Sequence, residues 1–340
     1  MEIDKAQHNF AWTYNERALE KSEKYLYVYT CHTTERELCQ LELDSLFGQP
    51  PQHDHLYMAN RRIEPGQSAF IRLRLEVLAC SSEWEDICEY ARQLGLPEGE
   101  TFKVHCLKES DMPLDYSERR HLERQLGMLI QGSARMKNPD CTLGLTYVEG
   151  KWVLGICEES DRSWLERRHK PYNYSTGLPM VAVRALINIA LPDAEGRTLI
   201  DPCCGMGNVL IEALHMGIRA QGGDMNPLAI QGARVNLKHY GYGEEYVTLG
   251  DMNHITARYD AAVLDMPYNL CSVQSVTERE NMLASLRRMT DRAIVISMES
   301  IKASLEQAGW RVMDTARLPK GENSSMVREI YVCEARRQPS

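Results

Sequence analysis

The sequence predicts an α/β protein in which a doubly wound sheet with a terminal antiparallel hairpin follows a smaller α+β region. Two observations lead to this prediction. From residue 178 onward, strand-like and helix-like segments alternate without interruption, as they do in doubly wound folds. Before that point, residues 164–179 mix polar and aromatic side chains with a basic run and two prolines, which is typical of a linker.

Length and composition agree with a multidomain globular protein. A chain of 340 residues is long enough for two or three domains, and its 43% hydrophobic and 26% charged residues are ordinary values for such proteins. No window approaches the roughly 20 apolar residues of a membrane span, and no apolar run resembles a signal peptide. We therefore expect a cytoplasmic protein without a membrane or an obligate protein partner.

The cysteine pattern excludes two kinds of site. There are eleven cysteines, an odd number, and none form a Cys-x-x-Cys pair. Disulfide frameworks and zinc ribbons need paired spacings, so we expect reduced thiols and no metal.

The N-terminal region divides into three predicted parts. Residues 1–22 are polar without a clear period and are expected to form an arm. Residues 23–97 carry strands at 25–29 and 69–78 and a helix at 83–94, in a ferredoxin-like order. A further helix is predicted to start at Thr34, with Glu37 completing a capping box.

Residues 98–162 form the next predicted domain. A strand at 102–106 precedes a helix at 117–130 with Leu122, Leu126 and Leu129 on one face. Strands at 142–147 and 152–156 flank a turn at 149–150. A linker over 163–178 then leads to the C-terminal domain, 179–340.

The C-terminal domain supplies the first chemical motif, Asp201-Pro202-Cys203-Cys204-Gly205-Met206-Gly207-Asn208. It lies between a predicted strand and a predicted helix, where glycines let a ligand approach the backbone. Taken alone this is weak evidence, because the third glycine of a dinucleotide fingerprint and the Gly-Lys-Ser/Thr of a phosphate loop are missing.

Two more aspartates follow the next two predicted strands. Asp224 and Asp251 would join Asp201 at the carboxyl edge of the sheet. If the ligand is S-adenosylmethionine, Asp201 would lie near its methionine end, Asp224 could accept from its ribose hydroxyls and Asp251 could accept from its adenine amino group. Ordinary helix N-caps are the alternative for each aspartate, and NAD is the rival ligand because Asp224 lies about 20 residues past the first glycine. The predicted cofactor-binding residues are Asp201, Cys203, Gly205, Gly207, Asn208, Asp224, Met225, Asp251 and Met252.

The fourth strand ends in Asp265-Met266-Pro267-Tyr268, which we predict to be catalytic. The Asp265 carboxylate and the Met266 carbonyl can each accept one hydrogen of an exocyclic –NH₂ group. Pro267 keeps Met266 out of the helical region, and Tyr268 offers a ring for base stacking. A paired base cannot reach such a pocket, so the target must be flipped out or single-stranded. A simple turn is the alternative interpretation of the tetrapeptide.

These motifs resemble those of amino-methyltransferases, whose pattern is Asp/Asn-Pro-Pro-Tyr/Phe. Residues 102–158, with Asn138-Pro139-Asp140, resemble a THUMP RNA-binding domain. Residues 168–188 resemble the lead-in to the catalytic domain of THUMP-containing tRNA guanine-N2-methyltransferases. The resemblance spans roughly residues 25–335. It implies a Rossmann-like class I methyltransferase domain, S-adenosylmethionine as cofactor and N2-methylguanosine formation in tRNA, with N2,N2-dimethylguanosine as the product of a second methylation left open. Met266 departs from the family by replacing the usual first proline.

Charge is compatible with an RNA partner only locally. The net charge is −9, but residues 101–170 carry twelve basic against eleven acidic side chains. A solvated helix face is the alternative interpretation of this basic region. The predicted phosphate contacts are Arg119, Arg120, Arg124, Arg135, Lys137, Arg167, Arg168 and Lys170. Ribosomal RNA as substrate, a non-catalytic RNA-binding protein, and a DNA-adenine or protein-glutamine methylase remain open alternatives.

Overall fold

The structure, a computed structural model, describes residues 24–173, 177–267, 275–320 and 326–336. The chain divides into two compact units. The first comprises residues up to Thr30, Gln52–Pro65 and Ile71–Ser160, and the second comprises Cys31–Pro51, Gly66–Phe70 and the chain from Asp161 onward. Within the described ranges, no helix has the length and apolarity that a bilayer span requires.

The first unit is built on one seven-stranded sheet. Its strand order is β2-β1-β3-β7-β6-β4-β5, with β4 parallel to β5 and β6 and the other neighbours antiparallel. Two helices pack against the sheet through a core that includes Ile87, Leu126 and Leu154. The strands and helices are β1 (Tyr25–Tyr29), β2 (Leu56–Ala59), β3 (Ile71–Ser81), α2 (Trp84–Gln93), β4 (Thr101–Cys106), α3 (Tyr116–Leu129), β5 (Ser133–Ala134), β6 (Cys141–Val148) and β7 (Lys151–Glu159).

The second unit contains the doubly wound sheet. Its strand order is β10-β9-β8-β11-β12-β14-β13. The first five strands in this order are parallel to one another, whereas β14 is antiparallel to both of its neighbours, β12 and β13. The predicted α/β fold with a terminal hairpin is therefore confirmed. Its elements are α1 (Arg36–Phe47), α4 (Met180–Ala190), β8 (Thr198–Asp201), α5 (Asn208–His215), β9 (Arg219–Asp224), α6 (Pro227–His239), β10 (Val247–Leu249), β11 (Ala261–Asp265), α7 (Val276–Met289), β12 (Arg292–Ser297), α8 (Lys302–Gln307), β13 (Trp310–Pro319) and β14 (Val327–Ala335).

Buried ionic contacts tie α5 to the chain that precedes α4. Glu212 of α5 is fully buried and binds Arg167 at 2.7 Å and also Arg184 of α4. Trp164 covers the Arg184 guanidinium, whose carbon lies 4.9 Å from the ring centroid. A buried carboxylate is tolerated only when it is paired, so these contacts hold residues 164–167 against α5.

The start of α1 differs from the prediction. Thr34 does not cap the helix: it lies in a 3₁₀ turn, Thr33–Glu35, and α1 begins at Arg36. His32 caps this turn, and the Glu35 carboxylate accepts from the His32 N–H. The predicted Thr34–Glu37 capping box is therefore wrong, because His32 and Glu35 form the same reciprocal arrangement two residues earlier.

Strands β2 and β5 were not predicted either. The predicted domains 23–97 and 98–162 both contribute strands to the same sheet. The division of the chain into an arm, two N-terminal domains and a linker stays a prediction.

Candidate active site

Four aspartates follow neighbouring parallel strands and face one cavity, and we call them the aspartate rim. Asp201, Asp224 and Asp265 are the last residues of β8, β9 and β11, and Asp251 comes two residues after β10. All four line a cavity of about 680 Å³. Volumes of about 300–1,000 Å³ are typical of small-molecule sites, so the rim borders a space of suitable size for a cofactor.

The loop after β8 is shaped by two glycines in the left-handed region. Gly205 has φ +53° and Gly207, the N-cap of α5, has φ +81°, conformations that other residues adopt only with strain. The Gly205 N–H donates to Asp224 Oδ2 at 2.9 Å, and the Asn226 N–H donates to Oδ1 at 2.8 Å. Asp224 is therefore held in one orientation between the loop and α6.

The two adjacent cysteines of this loop are poor nucleophiles. Cys203 lines the cavity with its sulfur 3.8 Å from Met252 Sδ, and Cys204 is buried. Burial, followed by the charge of Asp201, raises the pKa of both thiols well above the usual range. Because the thiolate is the reactive form, we expect these two thiols to pack as apolar groups beside the cavity and not to act as nucleophiles.

Asp265 is the chemically distinctive member of the rim. Its Oδ1 atom is buried and has no hydrogen-bond partner among the described residues. Burial raises the pKa of Asp265 to about 6, and the charge of Arg328 opposes this rise. A buried acceptor without a donor is costly, so this oxygen is placed to receive a hydrogen from a ligand in the cavity.

The pKa of Asp201 is raised in the same surroundings. Burial first, and then the charge of Asp265, raise the pKa of Asp201 well above its ordinary value. Two carboxylates in one poorly solvated space disfavour each other's ionisation, and each gains from a cationic or hydrogen-bond-donating ligand.

Residues 167–322 match the family model described as UPF0020, RMKL-like, methyltransferase domain. Just under half of the chain is therefore similar to that family's methyltransferase domain, and we refer to this part as the methyltransferase domain because of the similarity. The chain is also 26% identical over 236 residues to the tRNA (guanine(10)-N2)-dimethyltransferase of Pyrococcus abyssi, an alignment covering 64% of this chain and 70% of the relative.

The chain is also similar to a second relative and to a solved structure. A tRNA (guanine(10)-N2)-dimethyltransferase of Methanothermobacter thermautotrophicus is 27% identical over 174 residues, which are 48% of this chain and about half (51%) of that relative. The crystal structure of TrmN from Thermus thermophilus is 17% identical, with 92% of this chain and 99% of that chain covered and a TM-score of 0.47.

The cavity of the methyltransferase domain gathers nearly all of the predicted cofactor-binding residues. Eight of the nine line it, and Gly207 instead caps α5. Their roles as ligands stay predictions. Several residues that line the cavity were not predicted from the sequence: Gly177, Leu178, Asn253, Glu278, Asn281 and Met282. Of these residues, only Glu278 belongs to a recognisable sequence pattern, since Ser275 and Glu278 form the capping box at the start of α7.

The predicted catalytic tetrapeptide is described in part. The Met266 side chain is buried in the core, its N–H donates to the Ile296 carbonyl at 2.9 Å, and Pro267 lines the cavity. The methionine that replaces the usual proline thus packs as a core residue. Tyr268 lies outside the described residues, so its stacking role stays a prediction.

The predicted phosphate contacts fall into two groups. Arg120, Arg124, Arg135 and Lys137 are exposed in the first unit, and Arg119 is half-buried there. In the methyltransferase domain Arg168 is exposed, whereas Arg167 is paired with Glu212 and Lys170 is buried. Arg167 pairs with the buried Glu212, and the buried Lys170 contacts the half-buried Asn208, so both residues have a role inside the domain. Their contact with RNA stays a prediction.

The residues present fit S-adenosylmethionine better than NAD. Four carboxylates would repel the pyrophosphate of a dinucleotide but favour a cationic sulfonium and the hydroxyl and amino donors of an adenosyl group. No group of three or more His, Cys, Asp or Glu that could hold a metal ion occurs within the described ranges.

Proposed function

We propose that this chain transfers a methyl group from S-adenosylmethionine to the exocyclic N2 of a guanosine in tRNA. The observation that supports the proposal most is the buried Oδ1 of Asp265 at the edge of the cavity, which has no hydrogen-bond partner in the part of the chain that the structure describes. The methyltransferase domain and the relatives named tRNA (guanine(10)-N2)-dimethyltransferases point to the same reaction. By analogy with those relatives, we propose guanosine 10 as the target.

Three members of the aspartate rim would hold the cofactor. Asp224 would accept from the ribose hydroxyls, Asp251 from the adenine amino group, and Asp201 would lie near the amino-acid end. S-adenosylmethionine supplies an electrophilic methyl group on a sulfonium. Its positive charge is favoured beside Asp201 and Asp265, since burial and then the charge of Asp265 raise the pKa of Asp201.

Asp265 and Met266 would orient the guanine amino group. The Asp265 carboxylate accepts one N–H and the Met266 carbonyl accepts the other, which localises the nitrogen lone pair and directs it at the methyl group. Formation of the new C–N bond would break the bond between the methyl group and the sulfonium, with S-adenosylhomocysteine as the leaving group. The nitrogen would lose one proton, which Asp265, whose pKa burial raises to about 6, can accept. The orientation of the amino group therefore contributes more to the rate of methyl transfer than the removal of its proton by a strong base.

Access to the site requires an unpaired base. An amino group inside a duplex cannot contact both acceptors, so the guanosine must leave its stack, and Tyr268 is our candidate for holding the extruded ring. The exposed Arg120, Arg124, Arg135 and Lys137 of the first unit are the candidates for tRNA phosphate contacts. A tRNA substrate also leads us to propose a cytoplasmic location.

The decisive experiment measures methyl transfer from labelled S-adenosylmethionine to an unmodified tRNA transcript, followed by nucleoside analysis. We expect N2-methylguanosine, or N2,N2-dimethylguanosine after longer incubation, and no product with a transcript in which guanosine 10 is adenosine. Asp265→Ala should abolish the product while S-adenosylhomocysteine still binds. Asp291→Asn is the matched control, because that carboxylate is exposed and pairs with Arg258 and Arg287.

Three results would contradict the proposal. Product on ribosomal RNA but not on tRNA would change the substrate. Cofactor and tRNA binding without product would mean that the chain is a non-catalytic RNA-binding protein. Loss of S-adenosylhomocysteine binding in Asp265→Ala would make Asp265 a structural residue.

A further inference from the structure

Lys170 places a positive charge in the interior of the methyltransferase domain, and no carboxylate of the described residues compensates it. Its side chain is 8% exposed, and burial lowers the pKa of Lys170 to about 8, with no charged group contributing to the shift. Among the described residues, the only polar contact of its Nζ atom is with Asn208 Oδ1. Burying an ammonium is costly, so this position needs a reason beyond packing.

The contact determines which way the Asn208 amide faces. A lysine ammonium only donates, so the atom of Asn208 that faces Lys170 must be the oxygen. The amide nitrogen consequently points the other way, where one of its hydrogens goes to the Leu178 carbonyl at 3.2 Å. Asn208 and Leu178 both line the cavity, which leaves the second amide hydrogen for a ligand there.

A second buried amide fixes the backbone that carries Lys170. Asn236 is fully buried; its Oδ1 accepts from the Tyr172 N–H, and its Nδ2 donates to the carbonyls of Tyr172 and Met206, each within 3.0 Å. The segment 170–173 is thereby joined to the glycine loop that precedes Asn208. Lys170 is thus held in place by its backbone, and it can hold the Asn208 amide in turn.

We infer that Lys170 is a positioning residue that orients the Asn208 amide to donate to the carboxylate of the cofactor's amino-acid moiety. This inference rests on the proposed function. Asn208 is the first residue of α5, where backbone N–H groups and the helix dipole also favour an anion. The aspartate rim offers only acceptors, which suit hydroxyl and amino groups, so a carboxylate needs the donors at α5.

The test compares two ligands that differ in this moiety. S-adenosylhomocysteine carries the carboxylate, whereas 5′-deoxy-5′-methylthioadenosine has the same adenosyl thioether without the amino acid. We expect Lys170→Met to weaken S-adenosylhomocysteine binding about tenfold by calorimetry and to leave methylthioadenosine binding within twofold of the unsubstituted chain. Lys302→Met, which removes an exposed lysine of α8, is the control and should change neither affinity.

A second variant tests the orientation directly. Asn208→Asp keeps the side-chain shape but replaces both amide hydrogens with an acceptor, so it should show the same selective loss for S-adenosylhomocysteine even if Lys170→Met does not fold. An equal loss for both ligands in the two variants, or no loss in either, would overturn the role of Lys170. If the unsubstituted chain binds neither ligand, the proposed function itself fails.

Discussion

Asp265 accepts the N–H of an amino group more strongly, and can take up a proton, only when it is ionised, and its pKa of about 6 places that ionisation in an accessible range. We expect the single-turnover methylation rate to be constant above about pH 7 and to fall as pH drops through 6, reaching about a tenth of the plateau at pH 5. Rapid-quench assays on a tRNA transcript from pH 5 to 8 would measure this. A rate that is flat down to pH 5 would mean that the carboxylate is not required in its charged form.

The same shift affects the stability of the fold. A carboxyl group whose folded-state pKa is raised from 3.8 to about 6 destabilises the folded state above pH 6, and the penalty is relieved as pH falls towards 3.8. Asp265→Asn removes the charge and should increase the free energy of unfolding by at most about 3 kcal/mol at pH 8 and by about half of that at pH 5. Urea unfolding at both pH values checks this, and a variant less stable than the unsubstituted chain at pH 8 would contradict it.

The sequence predicted all four members of the aspartate rim but not the other wall of the cavity. Asp201, Asp224 and Asp265 were predictable because each ends a recognisable buried strand, and parallel strands end at one edge. Asn281 and Asn253 carry no such signal, since their presence at the cavity depends on how α7 and the turn after β10 pack. The local sequence pattern is enough to predict functional side chains at the ends of strands, whereas predicting which residues of neighbouring helices and turns line the cavity requires the tertiary structure.

Strands β6 and β7 carry a pair of opposed glycines whose lack of side chains the packing requires. Gly144 and Gly155 face each other across the hairpin. A Cβ on Gly155 would overlap the backbone carbonyl of Glu76, which cannot move without disturbing β3, whereas a Cβ on Gly144 would lie 2.5 Å from the Leu75 side chain. The close approach of three strands therefore depends on Gly155 in particular.

We expect Gly155→Ala to lower the free energy of unfolding by about 3 kcal/mol because the overlap is with backbone. Gly127→Ala is the matched control: Gly127 lies within α3 with nothing inside 4 Å of the added carbon. There the helix propensity of alanine should raise stability by about 1 kcal/mol. Thermal unfolding of both variants measures the difference, and equal stability would show that β3 yields to the extra carbon.

Element positions were more predictable than pairings. The strand at Tyr25–Tyr29 and the helices that became α2 and α3 agree with the sequence within about a residue or two, because periodicity and flanking turn residues define them locally. The short β2 has only four residues, too few for a period to be visible. The pairing of β3 with β7 joins residues about 80 apart, and no local signal encodes such a partner.

The charge of the whole chain and its proposed partner have the same sign, so binding must depend on local basic groups. The net charge is −9, and tRNA is a polyanion, yet Arg120, Arg124, Arg135 and Lys137 are exposed together in the chain segment 120–137. Arg120 also contacts Glu123, which reduces its field but leaves its remaining donors available. Each phosphate contact releases counterions, which makes affinity depend on salt.

Replacing these four residues together with alanine should weaken tRNA binding and lower the slope of log affinity against log salt concentration by roughly three. The physical reason is that each lost phosphate contact removes its share of counterion release. Filter binding between 50 and 200 mM salt would measure both slopes. The control replaces four exposed basic residues of the second unit, Arg219, Lys238, Lys302 and Arg311. Equal changes in both variants would attribute the effect to net charge, and an unchanged slope in the first would leave the basic segment as a solvated face.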